Sequence, residues 1–453
     1  MEGALALIGK QAVVIGAGMG GLVAAGAVAD YFEQVIVVER DALPTSALPR
    51  TGTPQAQHTH ALLAGGTLAL ESLFPGFTAA LTEAGAVSYR AAFDVFAEVP
   101  GFDPFPQRDL GLKNHSMSRP LIEYTVRQQL SKRRNVEFRE RCRVDQIVMA
   151  NGKGGAVSGV RLADRNGSGG TFAADLVVDS SSRGSLSLAA LRATDHQVPE
   201  ETTIGIDMAY ATGVFSIPDD ASRQWKGVAT FPRAPADRRG ALMLPIEGNR
   251  WILSLGGAHG DAPPGDLNGF LASAKELRTQ TIYIAIKDAK LVGEIVRFKF
   301  PESVWRHFER LDPFPRGLLP FGDVICRFNP VYGQGMTVAA KEACVLRDLL
   351  AARSLERDPL EGLAQTFFAE IQEVLDTPWA TAAAADFVYP ETRGDRPADF
   401  ENMLKFGRAM VALAARDPDV HKLRLEVLNL LKPRSVFRDP DFVARVRAVM
   451  AEG

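Results

Sequence analysis

The chain has 453 residues, 46% of them hydrophobic and 23% charged, with a net charge of −3. That length suits two or three domains, and the balance excludes the basic excess expected of a nucleic-acid binder. Three widely spaced cysteines, Cys142, Cys326 and Cys344, set neither a disulfide framework nor a metal-ligand spacing and read as small apolar packing residues. The N-terminus lacks the basic and apolar regions of a signal peptide, and no apolar run is long enough to span a bilayer. The expected location is the cytoplasm.

The first predicted element is a buried parallel strand over 13–15, from Val13-Val14-Ile15, with apolar residues on both faces. It runs into Gly16-Ala17-Gly18-Met19-Gly20-Gly21. In a dinucleotide fingerprint the first glycine allows the tight turn. The second lets the backbone approach a pyrophosphate, and the last lets the next helix pack near the strand. A helix over 20–30 would present its free N–H groups and positive dipole end to the phosphates, with Met19 and Gly20 in the cradle. A second strand over 35–38 ends at Glu39, followed by Arg40. An acid about 20 residues past the glycines can bind both ribose hydroxyls of an adenosine. An accidental GxGxxG loop would lack this ordered context. The motif alone does not separate NAD from FAD.

A loop over 40–57, rich in Pro, Thr and Gly, precedes a helix predicted over 61–73. His58 and His60 form an H-x-H pair without a supporting Cys, Asp or Glu cluster, which is a poor metal signal. They are expected to hydrogen-bond the loop and helix start, and no metal is expected. Arg119 stands near the start of a helix reaching about 132. A cation is unfavourable there, which favours a ligand role; Arg127 is expected on the solvated face. A strand over 141–148 follows. Gly-rich turns at 151–155 and 166–170 flank a short strand over 156–162. Another strand, over 174–179, runs into Ser180-Ser181-Ser182-Arg183. Residues 204–300 read as strands with turns, including a Gly248-Asn249 turn between strands over 241–245 and 250–255.

A strand over 317–321 precedes Gly322-Asp323. Pro330, Gly333, Gly335 and Met336 then turn into a helix ending near 352. From 360 onward the pattern is helical, with segments over 367–384, 403–415, 422–431 and 442–450, interrupted at Lys432-Pro433 and Asp439-Pro440.

Taken together, the fingerprint at 13–22 and the segment Gly322–Met336 resemble the two cofactor motifs of FAD-dependent monooxygenases of the aromatic-hydroxylase superfamily. The run Arg50-x-Gly52-x-Pro54-Gln55-x-x-His58-x-His60-x-Leu62 is similar to one in bacterial polyether-type flavin epoxidases. The resemblance implies an α/β fold: a Rossmann-like FAD-binding domain, an inserted mixed β-sheet substrate domain and a C-terminal helical region. The FAD-binding parts would span 1–80, 116–190 and 301–355. The substrate domain would span 81–115 and 191–300, and the helical region 356–453.

The same resemblance implies roles for single residues. Arg50 would lie over the isoalloxazine and ribityl portion, and Arg119 would reach the ribityl and phosphate region. Backbone at Val144 would meet the adenine, and Asp323 would accept hydrogen bonds from ribityl hydroxyls. The N–H groups of Gly335 and Met336 would face the flavin N1/C2=O edge, where reduced flavin is negative. Aromatic hydroxylases often carry an Asp-Gly pair where this chain has Ser181-Ser182, and epoxidase-like relatives depart similarly. This leaves Asp179 and Arg183 as turn residues without a stated role, and puts direct NAD(P)H binding in doubt. Electrons would come from NAD(P)H or from a separate reductase. Trp379, Asp386, Phe387, Tyr389 and Pro390 resemble a C-terminal patch in the same relatives. The helices there are expected to pack on the domains, although they could cap an apolar pocket or touch a membrane surface.

The chemistry implied is reaction of reduced FAD with O2 to a C4a-hydroperoxide, whose distal oxygen attacks an electron-rich carbon while water is excluded. Phenol hydroxylation is helped by a base, whereas alkene epoxidation needs none. No His, Tyr or Lys stands out as that base, so no catalytic protein residue is named. The expected substrate is an apolar alkene-containing or aromatic molecule, polyketide or terpenoid-like, to be epoxidised or hydroxylated. Met208, Tyr210, Met243 and Trp251 are pocket candidates that core packing explains equally well. A flavin-dependent halogenase shares both FAD motifs, although the Trp-x-Trp-x-Ile-Pro signature of the tryptophan-halogenase type is absent. A geranylgeranyl-reductase-like enzyme and a non-catalytic FAD-binding module are the other readings.

Overall fold

A five-stranded parallel sheet carries the N-terminal half of the site, in the order Leu318–Pro320, Leu176–Asp179, Gly9–Ile15, Phe32–Val38, Val136–Arg139. The computed structural model describes residues 6–150, 155–163, 169–218 and 223–452. Val13, Val14, Val35 and Val37 are fully buried at the sheet centre, as a parallel sheet covered on both faces requires. Each such side chain contributes about 1.5–3 kcal/mol of burial. The helices Met19–Val28 and Gly335–Arg353 pack together on this sheet.

A seven-stranded mixed sheet forms the second layer. Its order is Cys326–Arg327, Leu291–Arg306, Glu201–Ser216, Arg250–Gly257, Arg239–Ile246, Gly227–Thr230, Val95–Glu98. All pairs are antiparallel except the last, which is parallel. The predicted turn at Gly248-Asn249 joins two of these strands, with both residues at positive φ, +75° and +53°. The region expected to hold only strands also contains two helices, Leu267–Lys275 and Thr281–Ile286. Phe270, Ala274, Ile282 and Ile286 of these helices pack against Met243, Trp251 and Leu253 on one face of the sheet. The fold class is the expected one: an α/β fold with a Rossmann-like sheet region, an inserted mixed sheet and a C-terminal helical region.

The C-terminal region comprises Leu363–Glu370, Gln372–Asp386, Phe400–Arg416, Pro418–Leu428 and Pro440–Glu452. Phe105 of the 94–108 segment packs into the cluster formed by the last three of these helices. The strand expected over 156–162 is present as Val157–Leu162. Most of the flanking turns expected at 151–155 and 166–170 lies outside the described residues. Among the described residues, no helix is long and apolar enough to cross a membrane.

Candidate functional site

The fingerprint turn depends on glycine at two points. Gly16 has φ +97°, and a Cβ on Gly21 would lie 1.8 Å from the Gly16 carbonyl oxygen. Only glycine lets the helix start fold beneath the turn. At Gly18 the opposite holds: no heavy atom lies within 4 Å of a built Cβ. The space above the turn is open where a pyrophosphate would pass. Gly18 caps the Met19–Val28 helix without a side-chain bond, so that helix end keeps free N–H groups. Glu39 is almost fully buried and closes the turn, its Oε2 accepting from Ala17 N at 2.8 Å and its Oε1 from Asp41 N at 3.0 Å.

A line of charges runs from Glu39 toward the second motif. Arg50 Nη1 lies 3.0 Å from both Glu39 and Asp41, and Arg50 Nε lies 3.8 Å from Glu123. Arg119 pairs with Glu123 at 2.8 Å. Arg119 and Arg327 in turn act on Asp323, whose carboxyl burial raises and these two cations lower. Asp323 is nonetheless exposed, so it faces an open cleft within the fold. Arg50, expected over the isoalloxazine and ribityl portion, is held by these ion pairs beside Glu39, Asp41 and Glu123. Arg40 is exposed. The start of the Val144–Met149 strand lies beside Glu39, since Arg141 N donates to Asp41 O and Cys142 N to Glu39 O. Arg127 was expected on the solvated face but is buried and donates to the Pro44 carbonyl.

The two distant motifs meet. A Cβ on Gly322 would lie 4.0 Å from Gly20 Cα. Gly322 N donates to Glu342 Oε2 at 2.9 Å, and Glu342, on the Gly335–Arg353 helix, is fully buried. Burial pushes its carboxyl up to about 8. Sequence reasoning missed Glu342, because a polar residue inside a helix is ordinarily placed on the solvent face. Gly333 has φ +68°, and neither Gly333 nor Gly335 has a neighbour within 4 Å of a built Cβ. Gln334 caps the helix without a side-chain bond, leaving the N–H groups at its start available. Met336 is buried and Pro330 partly so.

A buried network fixes the segment ahead of that helix. Asp386 accepts from Tyr332 Oη at 2.5 Å and from Asn329 Nδ2 at 3.2 Å. Burial pushes the Asp386 carboxyl up to about 6, against the lowering effect of Tyr332 and Asn329. Three other members of the C-terminal patch pack against the mixed sheet or the segment following it, and Pro390 is exposed. Trp379 meets Trp305 edge-on, Phe387 clusters with Ile204, and Tyr389 lies against His259. Asp179 also gains a role, accepting from Ser181 N, Ser187 N and Ser187 Oγ, and so pinning the turn that carries Ser181-Ser182. Ser182 is at φ +72°, a conformation that glycine adopts more readily. Arg183 is exposed.

One face of the mixed sheet meets the 53–63 loop. His58 Nδ1 lies 2.7 Å from Thr212 Oγ1, which lies 2.6 Å from Ser254 Oγ. Ser254 Oγ accepts from Thr59 N and donates to Thr59 Oγ1. With the Ser254 proton given to Thr59, Thr212 must donate to Ser254, and His58 Nδ1 must donate to Thr212. His58 Nε2 is then a bare acceptor, buried and without a partner among the described residues. Tyr210 and Phe298 flank the His58 ring at 4.6 and 5.7 Å. Burial lowers the His58 pKa to about 4. His60 Nδ1 bonds His58 O at 2.8 Å, and burial followed by Arg119 lowers its pKa to about 3. The histidines thus serve the loop as expected, and tie it to the sheet as well. Met208 and Tyr210 share this face. Met243 and Trp251 do not: they lie in the core beneath the two inserted helices. Instead of the expected helix start, Ala61–Leu62 forms a short strand, and the helix spans Ala64–Leu73.

No protein-family model matches the chain. It is 33% identical to Protein Rv3254 of Mycobacterium tuberculosis (strain ATCC 25618 / H37Rv) over 356 residues, covering 76% of this chain and 73% of that protein. Among solved structures it resembles the flavin-dependent brominase Bmp2, with a TM-score of 0.65, 14% identity and 98% of each chain covered. It also resembles PqsL, a probable FAD-dependent monooxygenase of Pseudomonas aeruginosa, with a TM-score of 0.60, 18% identity, and 84% of this chain and 97% of that one covered. A flavoprotein/dehydrogenase of Cytophaga hutchinsonii aligns at a TM-score of 0.66 with 14% identity, over 98% of this chain and all of that one. At these identities the solved structures establish the fold, and the Mycobacterium tuberculosis relative establishes kinship. The chain therefore belongs to the family of Protein Rv3254, and it shares its fold with Bmp2 and PqsL.

Proposed function

We propose that the chain binds FAD and works as a flavin-dependent monooxygenase, epoxidising or hydroxylating an apolar alkene-containing or aromatic substrate. The observation that carries this reading is the meeting of Gly20 and Gly322 beside an open cleft. The residues present fit the cofactor. Open space at Gly18, Gly333 and Gly335 admits it along the backbone, and the exposed Asp323 carboxylate is available to ribityl hydroxyls. In this reading Glu39, at the end of the second strand, would take the ribose, and the free end of the Gly335–Arg353 helix would meet a developing negative charge. Bound FAD, once reduced, would activate O2 and supply an electrophilic oxygen. The chain's own part is to hold the substrate near that oxygen and to exclude water. Tyr210, Phe298 and Met208 supply apolar surface, and the bare His58 Nε2 can accept a hydrogen bond from a substrate hydroxyl.

A second reading, flavin-dependent halogenation, is favoured by the likeness to Bmp2, which extends over 98% of the chain, against 84% for PqsL. The two readings share the cofactor and the oxygen and differ in what receives it, a substrate carbon or a halide. The deciding experiment supplies FAD, an electron source, labelled O2 and candidate substrates, with and without bromide. Gain of one labelled oxygen atom without bromide supports oxygenation. A brominated product formed only with bromide supports the halogenase reading, and oxygen-independent saturation of a double bond defeats both.

A further inference from the structure

The row of side chains that begins at His58 ends on a cation without an anion. Across two antiparallel strands Tyr210 lies opposite Phe298, and Met208 opposite Phe300. Facing residues share one side of a sheet, so all four line the same face, with Phe298 and Phe300 about 7 Å apart along their strand. His58 meets the first pair, at 4.6 Å from Tyr210 and 5.7 Å from Phe298. Arg327 meets the second. It stands opposite Val304 on the neighbouring strand Cys326–Arg327, and its Cζ lies 5.6 Å from the centre of the Phe300 ring. Met208 and Phe298, between the two polar ends, keep part of their surface open.

The Arg327 guanidinium has donors to spare. Among the described residues its one hydrogen bond runs from Nη2 to the Glu302 carbonyl at 3.4 Å, and it forms no ion pair. Its Nε is buried without a partner. Burial is the main influence on its pKa and lowers it; Asp323 and Glu302 act against this, and Arg306 and Arg183 with it. Arg306 is already bound to Glu201 and to the Val324 carbonyl. The interaction with the exposed Asp323 places Arg327 at the edge of the cleft, in the segment that joins Asp323 to Pro330. A partly desolvated guanidinium without a matched anion is costly. Its planar donor array takes a carboxylate in two-point fashion.

We propose that Arg327 holds a carboxylate carried by the substrate, so that the substrate class is an unsaturated or aromatic acid. The apolar body of that acid lies over Met208 and Phe298, on the way to His58. This rests on the reading of the adjoining cleft as the flavin site.

The test uses the full chain saturated with FAD and two acids, geranate and 2-naphthoate, each against its primary amide. Binding is followed by flavin absorbance and by calorimetry. The native chain is expected to bind each acid at least roughly tenfold more tightly than its amide, the discrimination of a charge-assisted pair. Arg327→Met should abolish that preference with amide binding kept, and Arg327→Lys should restore part of it. Equal binding of acid and amide by the native chain, absence of acid binding, or an undiminished preference in Arg327→Met each overturns the proposal. A fall in FAD affinity with the preference intact would give Arg327 to the cofactor, and displacement of the acid by equimolar bromide would give it to a halide; either overturns the proposal as well. If Arg327→Met does not fold, Arg327→Gln, which keeps a donor without the charge, takes its place. A chain that binds no FAD defeats the flavin reading instead, and calorimetry of the acids and amides on the FAD-free chain then tests Arg327 by itself.

Discussion

At the scale of single residues, the features that were legible in the sequence are those whose role follows from local geometry. Gly16 and Gly21 are glycine because backbone oxygens stand where a Cβ would be, and such positions fall at fixed spacing. Glu39 and Asp323 lie at the ends of apolar runs, where a lone acid is conspicuous. Arg127 was misjudged and Glu342 missed, because their partners Pro44 and Gly322 are remote in the chain and no spacing announces them. Changing Asp323 to Ala removes an acceptor for ribityl hydroxyls, each such bond contributing about 0.5–1.5 kcal/mol, or more when charged. FAD affinity should fall roughly tenfold or more, and an unchanged dissociation constant in a fluorescence titration would refute the assignment. Glu342 gives a pH prediction. Its carboxyl is raised from 4.5 to about 8 in the fold. Between those values the folded chain keeps a proton that the unfolded chain has lost, so stability falls as pH rises through this window, by at most about 1.4 kcal/mol per pH unit. Glu342→Gln keeps an acceptor for Gly322 N and has no proton to lose. Melts from pH 5 to 9 should show the variant gaining on the native chain as pH rises; parallel curves would mean that Glu342 is not held protonated.

At the scale of elements, the two long helices around 335–353 and 400–416 and several short strands, such as Val157–Leu162, were read correctly, and short helices were not. The Gly335–Arg353 and Phe400–Arg416 helices repeat apolar positions over several turns. The six-residue Thr281–Ile286 helix is mostly β-branched and aromatic in sequence, so its propensity favours a strand. Its helical state is set by packing Ile282, Ala285 and Ile286 onto the sheet. The 53–63 loop is likewise fixed by tertiary bonds, through the chain His58, Thr212, Ser254 and Thr59. Thr212 is 1% exposed, and Thr212→Val keeps its shape while leaving the buried His58 Nδ1 unpaired and taking one of three bonds from Ser254 Oγ, which keeps Thr59. Unpaired buried groups cost about 1–3 kcal/mol. The urea midpoint should fall accordingly with an unchanged slope. A variant as stable as the native chain would show that this network does not hold the loop. The histidines add an acid limit. Their pKa values are lowered from 6.5 to about 4 for His58 and about 3 for His60, so below 6.5 the unfolded chain binds protons that the fold refuses. Stability contributed by their neutral state is lost as pH falls from 6.5 toward 4.

At the scale of the whole molecule, the cleft is assembled from segments as far apart as Gly16 and Gly335, with the C-terminal helices reaching it through Asp386 and Leu428. The two glycine-rich segments that meet here are conspicuous in the sequence, but what closes the cleft is decided by domain packing that no motif encodes. The route of electrons belongs to this scale. The turn that in aromatic hydroxylases often carries an Asp-Gly pair has Ser181-Ser182 here, held by Asp179 with Ser182 at φ +72°. The backbone shape expected of glycine is kept while the acid is absent: Asp179, which lies nearby, is spent on Ser181 and Ser187. Hydride transfer requires the nicotinamide within near-contact distance of the flavin, and a missing binding group shortens the time spent there. Slow reduction by NADPH alone is therefore expected, with acceleration by bound substrate or by a separate reductase. Anaerobic stopped-flow at the flavin absorbance measures it directly. Rapid bleaching by NADPH without substrate would mean that other groups seat the nicotinamide, and the exposed Arg183 beside the same turn would be the first to substitute.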